Sequence, residues 1–222
     1  MSPTVSRVPL ELPSGIEFIA RLGRGRRCAA VLGERAGRRV VVKLYHAETV
    51  SKYRRRFGVE VAQLEFDRNR RFHEVAELQP FVAEPLAVLA GAAGGPPVFV
   101  QEFVPGRSLE DHLALHGALP PGLLARGRSI QRDAASAGLF DFDFNAGNVL
   151  LRPASGGEVP TLFDFNLVPQ HERPPNPFIA LAFRLGLRRR DRRDLRNLRD
   201  WEMLAARHAA RLRAAAPEVP EQ

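Results

Sequence analysis

The stretch from Leu139 to Asn166, LFDFDFNAGNVLLRPASGGEVPTLFDFN, constrains this chain more than any other. An apolar strand, Val149 to Leu151, and a second, Thr161 to Phe163, flank a Gly/Pro-containing turn, the pattern of a β-hairpin. Asp143 and Asn148, five positions apart, precede the first strand, and Asp164-Phe165-Asn166 ends the second. One carboxylate to orient an acceptor hydroxyl, with an amide and a second carboxylate to hold Mg2+ on phosphates, is the donor set that phosphoryl transfer from ATP requires. The plainer alternative, two Asx turns capping strands, leaves the order of these apolar-flanked matches to coincidence.

Composition bounds the rest. A chain of 222 residues is long enough for one or two closely packed subdomains with a sizeable core. Hydrophobic content of 45% against 26% charged residues indicates a globular, soluble chain. The single cysteine, Cys28, excludes an internal disulfide framework and fits a reducing compartment. The N-terminal MSPTVSRVPLELPSG has no apolar run of the secretory type, and Phe178 to Leu187, the longest apolar candidate, is too short to span a bilayer and contains Arg184. A cytoplasmic location is therefore expected. The net charge of +8 and a pI near 10.9 invite a nucleic-acid reading, yet no zinc-finger spacing, ribonucleoprotein strand or GXXG clamp accompanies them. No specific nucleic acid is expected as a partner.

Read along the chain, residues 1–14 form a leader with three prolines. Ile16 to Leu22, Cys28 to Leu32 and Arg39 to Tyr45 read as strands, with turns over Arg24 to Arg27 and Gly33 to Arg38. Ser51 to Ala76 has helical period, with Phe57, Val61, Leu64, the stem of Arg68, Phe72 and Val75 on one face. Glu84 to Leu89 and Pro97 to Phe103 are strands around GAAGG. Ser108 opens a helix over Leu109 to His116 with Asp111 in the capping-box position, and Pro120 starts another that runs to about Ala137. After the hairpin, Pro169 to Gln222 gives a Pro-rich loop and an Arg-rich helix.

This order resembles the protein-kinase-like fold, an α+β bilobal architecture with a β-rich N-lobe over 15–103 and a shortened helical C-lobe over 104–222. Several motifs carry the resemblance. Leu22-Gly23-Arg24-Gly25-Arg26-Arg27-Cys28 is similar to the glycine-rich loop, in which Gly23 and Gly25 let the backbone approach phosphates, with Cys28 where a third glycine usually stands. Val40-Val41-Val42-Lys43 follows one hairpin return later. The resemblance implies that Lys43 contacts the α- and β-phosphates and pairs with a helix glutamate, Glu65 first and Glu60 second. It also implies that Glu102 and Val104, in the hinge-like VFVQEFVPGRSL, meet adenine through backbone atoms. Asp143 becomes the acceptor-orienting carboxylate, and Asn148 and Asp164 the metal ligands. Asp141 stands where a His is usual, and Asn166 replaces the Gly of Asp-Phe-Gly.

The short segment after Asp164, with Pro174, Pro175 and Pro177 and no Ala-Pro-Glu, points to a compact bacterial branch. The chain resembles the YrbL family, a group linked to PhoP regulation, and more distantly the lipopolysaccharide core kinases. The basic GRGRRC turn, VVVKLYH, EVPTLFDFN and the Trp-containing tail carry that likeness. The expected function is ATP/Mg-dependent transfer of the γ-phosphoryl group to a hydroxyl of a small molecule or lipid-linked sugar. The alternative is an ATP-binding pseudokinase that regulates without turnover, and a basic nucleic-acid module is a third class with charge alone behind it. From Arg188 to Arg199 there are seven arginines against two aspartates, beside the apolar Phe178 to Leu187. That combination suits an anionic membrane surface or phosphorylated lipid, and hence a peripheral site at the inner membrane face. The plainer reading packs Leu195, Leu198, Trp201 and Leu204 inward and leaves the arginines in water.

Overall fold

β-Branched runs separated by short turns dominate the first hundred residues, and the computed structural model, which describes residues 11–215, forms them into one antiparallel sheet. Strands β1 (Glu17–Arg24), β2 (Cys28–Arg35), β3 (Arg38–Tyr45), β4 (Pro85–Leu89) and β5 (Val98–Glu102) lie in the order β1-β2-β3-β5-β4. Alternation along β3 and β5 sends Val40, Val42, Val98 and Val100 to one face, where they cluster with Ile16. Val41, Lys43 and Tyr45 take the other face. The turn expected over Gly33 to Arg38 is shorter, because β2 continues to Arg35 and only Ala36 and Gly37 adopt positive φ. Gly33 lies in the strand, paired with Phe18 and Val40, and has no room for a side chain: a Cβ there would meet Ile16 Cγ2 at 2.7 Å and the Glu17 carbonyl oxygen at 2.9 Å.

The single helix expected over Ser51 to Ala76 is two. Helix α1 (Ala47–Phe57) ends at Gly58, whose left-handed conformation (φ 65°) lets its N–H donate to the Arg54 carbonyl, and α2 (Val61–His73) starts afresh. Phe57, Val61 and Leu64 keep helical spacing across the break, which hides it from a periodicity argument.

A second, three-stranded sheet has the order β6-β7-β8, with β6 (Arg107–Ser108), β7 (Val149–Ala154) and β8 (Gly157–Leu162). Its hairpin register, Val149 opposite Leu162 and Leu151 opposite Pro160, begins β8 earlier than the expected Thr161 and leaves Phe163 just beyond it. Helices α3 (Leu109–His116), α4 (Leu123–Ser136), α5 (Pro177–Arg184) and α6 (Arg192–Ala215) complete the described chain. At α3 the Ser108 Oγ accepts from the Asp111 N–H at 3.0 Å and donates to the Asp111 carboxylate. Helix α4 starts at Leu123 rather than Pro120, after Gly122 at φ 74°.

The chain divides into two compact units. One holds the described residues through Asp67 together with Pro85–Phe103; the other holds Arg68–Glu84 and everything from Val104 onward. The division falls inside α2. In the second unit Trp201, Phe72, Phe142, Phe144 and Phe165 are fully buried among leucines of α3, α4 and the hairpin. Most of the leader and the last residues, 1–10 and 216–222, lie outside the described residues. Among those described, no helix is long and apolar enough to cross a membrane.

The α4–α6 contact depends on Gly127, where a Cβ would meet Leu198 Cδ2 and Trp201 Cζ3, both at 2.8 Å. Gly127→Leu should overpack that contact and cost about 1–3 kcal/mol, read as a lower urea midpoint. An unchanged midpoint would mean that the two helices do not pack this closely.

Candidate active site

In the first unit, Lys43 and Tyr45 project from the same face of β3, two residues apart, and both reach Glu65 on α2. Lys43 Nζ donates to Glu65 Oε1, and Tyr45 Oη donates to Oε2 at 2.7 Å. Lys43 and Glu65 are 4% and 1% exposed, so each buried charge is compensated by the other. Burial, and next the Glu65 carboxylate, push the Tyr45 phenol well above its ordinary value, so it stays a donor. Glu60, the second candidate partner, is at the surface with Arg54 at 2.5 Å.

Gly23 lies near the end of β1, opposite Ala30, and Gly25 opens the turn to β2; neither has positive φ. A Cβ would meet nothing within 4 Å at Gly23 and only the Cys28 carbonyl oxygen, at 3.6 Å, at Gly25. The fold itself has room for side chains there. The turn is closed by the Gly25 N–H on the Cys28 carbonyl (2.9 Å) and tethered by His46, whose Nε2 lies 3.1 Å from the Gly25 carbonyl oxygen. His46 is a contact the sequence did not announce. Glu102 closes β5 opposite Val40, and the following N–H, of Phe103, donates to the Arg39 carbonyl. Val104 is buried as the second unit resumes.

In the second unit, the alternating FDFDFN segment resolves into two roles. Phe142 and Phe144 turn inward, in a row of ring contacts that runs Phe165, Phe72, Phe142, Phe144, Trp201 with centroids 4.6, 5.3, 5.2 and 4.7 Å apart. Asp141 and Asp143 adopt left-handed φ values of 56° and 62°. Such geometry costs on the order of 1 kcal/mol or more per residue and persists only where surrounding contacts impose it.

Those contacts come from α6. The buried Asp194 carboxylate accepts from the backbone N–H of Asp141 at 2.7 Å and of Phe142 at 3.1 Å. Trp201, on the same face of the helix, donates from Nε1 to the Phe144 carbonyl at 3.1 Å. Burial pushes the Asp194 carboxyl up to about 7, against the two N–H bonds, which favour its charged form. Arg193, next along, bridges Asp141 Oδ1 (3.1 Å) and Asp143 Oδ1 (2.8 Å). Asp141, in the place where a His is usual, also accepts from the Gln170 N–H at 3.2 Å and so holds the loop after β8. Sequence reasoning missed both Asp194 and Arg193, which look there like members of a solvated basic helix. An aspartate in register with Leu198 and Trp201 is the available signal.

The Asp143 carbonyl gathers the next few residues. It accepts from the Asn145 N–H (2.8 Å) and from Asn148 Nδ2 (3.0 Å), while Asn145 Oδ1 caps the next turn by accepting from the Gly147 N–H (3.0 Å). Across the hairpin the Phe163 N–H donates to the Asn148 carbonyl at 3.4 Å, so Asp164 follows directly on the residue bonded to Asn148. Asn166 is not in left-handed geometry, although it replaces a glycine; its Oδ1 accepts weakly from the Val168 N–H at 3.4 Å. Arg68 is buried to its guanidinium and not merely along its stem. It donates to Glu172 Oε1 (2.9 Å) and the Phe140 carbonyl (2.6 Å), and burial lowers its pKa while Glu172 opposes the shift.

In the second unit the residues present fit Mg2+. With its Nδ2 on the Asp143 carbonyl, Asn148 keeps its side-chain oxygen for a hard cation, and Asp164 supplies a carboxylate. Among the described residues no three of His, Cys, Asp and Glu form a metal cluster, and a cation completed by phosphate oxygens needs none. In the first unit, taken by itself, the room at Gly23 and Gly25 suits a phosphate chain.

Solved structures with the same fold exist. Three forms of the PknI kinase domain of Mycobacterium tuberculosis superpose with TM-scores of 0.53, 0.57 and 0.53 at 21%, 21% and 22% identity. They cover 83%, 85% and 83% of this chain and 70%, 74% and 70% of theirs. No protein-family model and no curated protein matches the chain. The fold is therefore protein-kinase-like, with a β-sheet N-terminal unit and a helical C-terminal one.

Asp194 gives this fold a pH signature. Its folded pKa of about 7 lies above the ordinary 3.8, so between those values the native state holds more protons than the unfolded chain. Its contribution to stability is full below the ordinary value and is lost as pH rises through the folded one. The difference in urea-derived stability between wild type and Asp194→Asn should fall across that window, by at most about 1.4 kcal/mol per pH unit. A difference independent of pH would refute the shift.

Proposed function

We propose that the chain is an ATP/Mg-dependent phosphotransferase that passes the γ-phosphoryl group to the hydroxyl of a small molecule or lipid-linked sugar. The observation that carries this reading is the buried pair of Lys43 on β3 with Glu65 on α2, in the same sheet unit as a β1–β2 turn whose glycines stand where the fold has room for side chains. A buried ion pair adds little stability over an apolar one, so its presence in a sheet core favours a task for the ammonium.

In this reading Lys43 holds the α- and β-phosphates and Glu65, fixed by Tyr45, holds Lys43 in place. Backbone N–H groups around Gly23 and Gly25 cover the phosphates, and the backbone at Glu102 and Val104 pairs with adenine. Asn148 and Asp164 would hold Mg2+, which when bound neutralises charge on the phosphates. Asp143 accepts the proton of the acceptor hydroxyl as that oxygen bonds to the γ-phosphorus and the bond to the ADP oxygen breaks. The Asp194 and Trp201 contacts keep Asp143 in its left-handed pose, so orientation is set before the acceptor arrives. Likeness of the motifs to the YrbL family and the lipopolysaccharide core kinases supports a compact bacterial branch.

One observation favours a second reading, a nucleotide-binding pseudokinase of the YrbL type that regulates without turnover. The Arg193 guanidinium lies on the Asp143 carboxylate, the group that would otherwise take the acceptor's proton.

Mg-ATP should raise the melting temperature of the wild type, and Asp164→Asn should abolish the shift. No stabilisation by any nucleotide would sink both readings. ATP turnover in the presence of lipopolysaccharide or cell extract should fall at least about a hundredfold in Asp143→Ala. Turnover equal in the two proteins leaves the regulatory reading.

A further inference from the structure

Six arginines, Arg188, Arg189, Arg190, Arg192, Arg193 and Arg196, line one cavity of about 410 Å3 within the second unit. Its wall holds a single carboxylate, Asp141, which Arg193 already engages. Arg189 is paired with Asp191 at 2.8 Å. Arg188 stacks on Phe183 and Arg190 lies over Phe140, contacts that orient a guanidinium without neutralising it. Arg192 and Arg196, one helical turn apart on α6, have no carboxylate partner among the described residues. Arginines spread over a convex helix face would each be solvated separately. Here they converge on one concavity, large enough for a small ligand, where their mutual repulsion is relieved by a shared anion. The planar guanidinium fork matches phosphate oxygens in pairs.

The cavity also has an address. Arg193 lines it, with Nη1 on Asp141 Oδ1 at 3.1 Å and Nη2 on Asp143 Oδ1 at 2.8 Å, so an anion held there lies one side chain away from Asp143. We propose that this cavity is the anion subsite of the acceptor, and that the acceptor is a phosphorylated alcohol. The arginines hold its phosphate and its hydroxyl is presented to Asp143. This rests on the phosphotransferase reading above. It also gives the Arg193–Asp143 contact a purpose: an incoming phosphate competes with the two carboxylates for the Arg193 guanidinium and loosens its hold on Asp143 as the hydroxyl arrives. The same group could be carried by a soluble metabolite or a lipid headgroup. Exposed Phe178, Leu181, Leu185 and Leu187, on and just after the helix that supplies Phe183, give the lipid source its own arm of the test.

The test is calorimetric titration of the full chain with inorganic phosphate in the presence of Mg-ADP, and sedimentation with phosphatidylcholine vesicles with and without phosphatidic acid. Wild type should bind phosphate, and Arg192→Gln/Arg196→Gln should bind it at least about tenfold more weakly. Arg211→Gln/Arg213→Gln, an equal loss of charge farther along the same helix, should bind like wild type. Retention on phosphatidic acid vesicles that the first variant loses and the second keeps identifies a lipid headgroup; binding of free phosphate alone identifies a soluble source. Equal weakening in both variants, or no binding to either probe by wild type, overturns the subsite. If that happens while the Mg-ATP melting shift persists, the phosphotransferase reading stands without it. Phosphate binding with no nucleotide shift at all keeps the anion site and removes its role as acceptor subsite.

Discussion

A buried carboxylate on α6 sets the shape of the loop that carries Asp141 and Asp143. Asp194 takes the N–H groups of Asp141 and Phe142, and these two bonds hold a backbone that would otherwise relax out of its left-handed turns. The helix face makes the arrangement possible, since Asp194, Leu198, Trp201 and Ala205 recur at helical spacing and are all buried. The same stripe therefore supplies an anchor at each end of the loop and the apolar wall between them. Gly127 lets α4 come close enough to seal that wall. Without Asp194, two backbone donors would be left buried and unpaired.

The first unit solves a related problem by other means. Its sheet places one ammonium in an apolar interior, and α2 delivers the compensating carboxylate with a tyrosine as second donor. Glu65 thereby has both oxygens satisfied, which fixes its rotamer and the position of Lys43. Such a pair is a weak source of stability and a good source of geometry. The glycine turn beside it is held through main-chain atoms and His46, leaving its outer surface unfilled.

Much of this is legible in the chain itself. β-Branched runs such as RVVVKLY locate β3 and its neighbours, and the hairpin flanked by Asp143, Asn148 and Asp164 stands out through residue type and order. Glu65 ranks above Glu60 because it adjoins an apolar stripe. What escapes the sequence does so for physical reasons. The break at Gly58 is masked because apolar spacing runs on across it. Arg68 reads as a buried stem because its acid partner, Glu172, is 104 positions away. Arg193 and Asp194 are hidden in a run of charges whose average says solvent, while two members of that run point elsewhere. Asn166 stands where a glycine is usual yet has no positive φ, whereas Asp141 and Asp143, whose letters give no such sign, are left-handed because contacts from α6 hold them there.

The positive φ at Asp141 and Asp143 also restricts what mutation can do to this loop. Only glycine, asparagine and aspartate adopt such a conformation readily, so the amino acids admissible at these two positions form a very short alphabet. Asn and Gly would keep the loop's shape while discarding its charge. A descendant that had abandoned chemistry and kept the fold would therefore differ here by one of two conservative-looking letters. Backbone shape and side-chain charge are separable at this point, and a lineage can lose the second while inheriting the first intact.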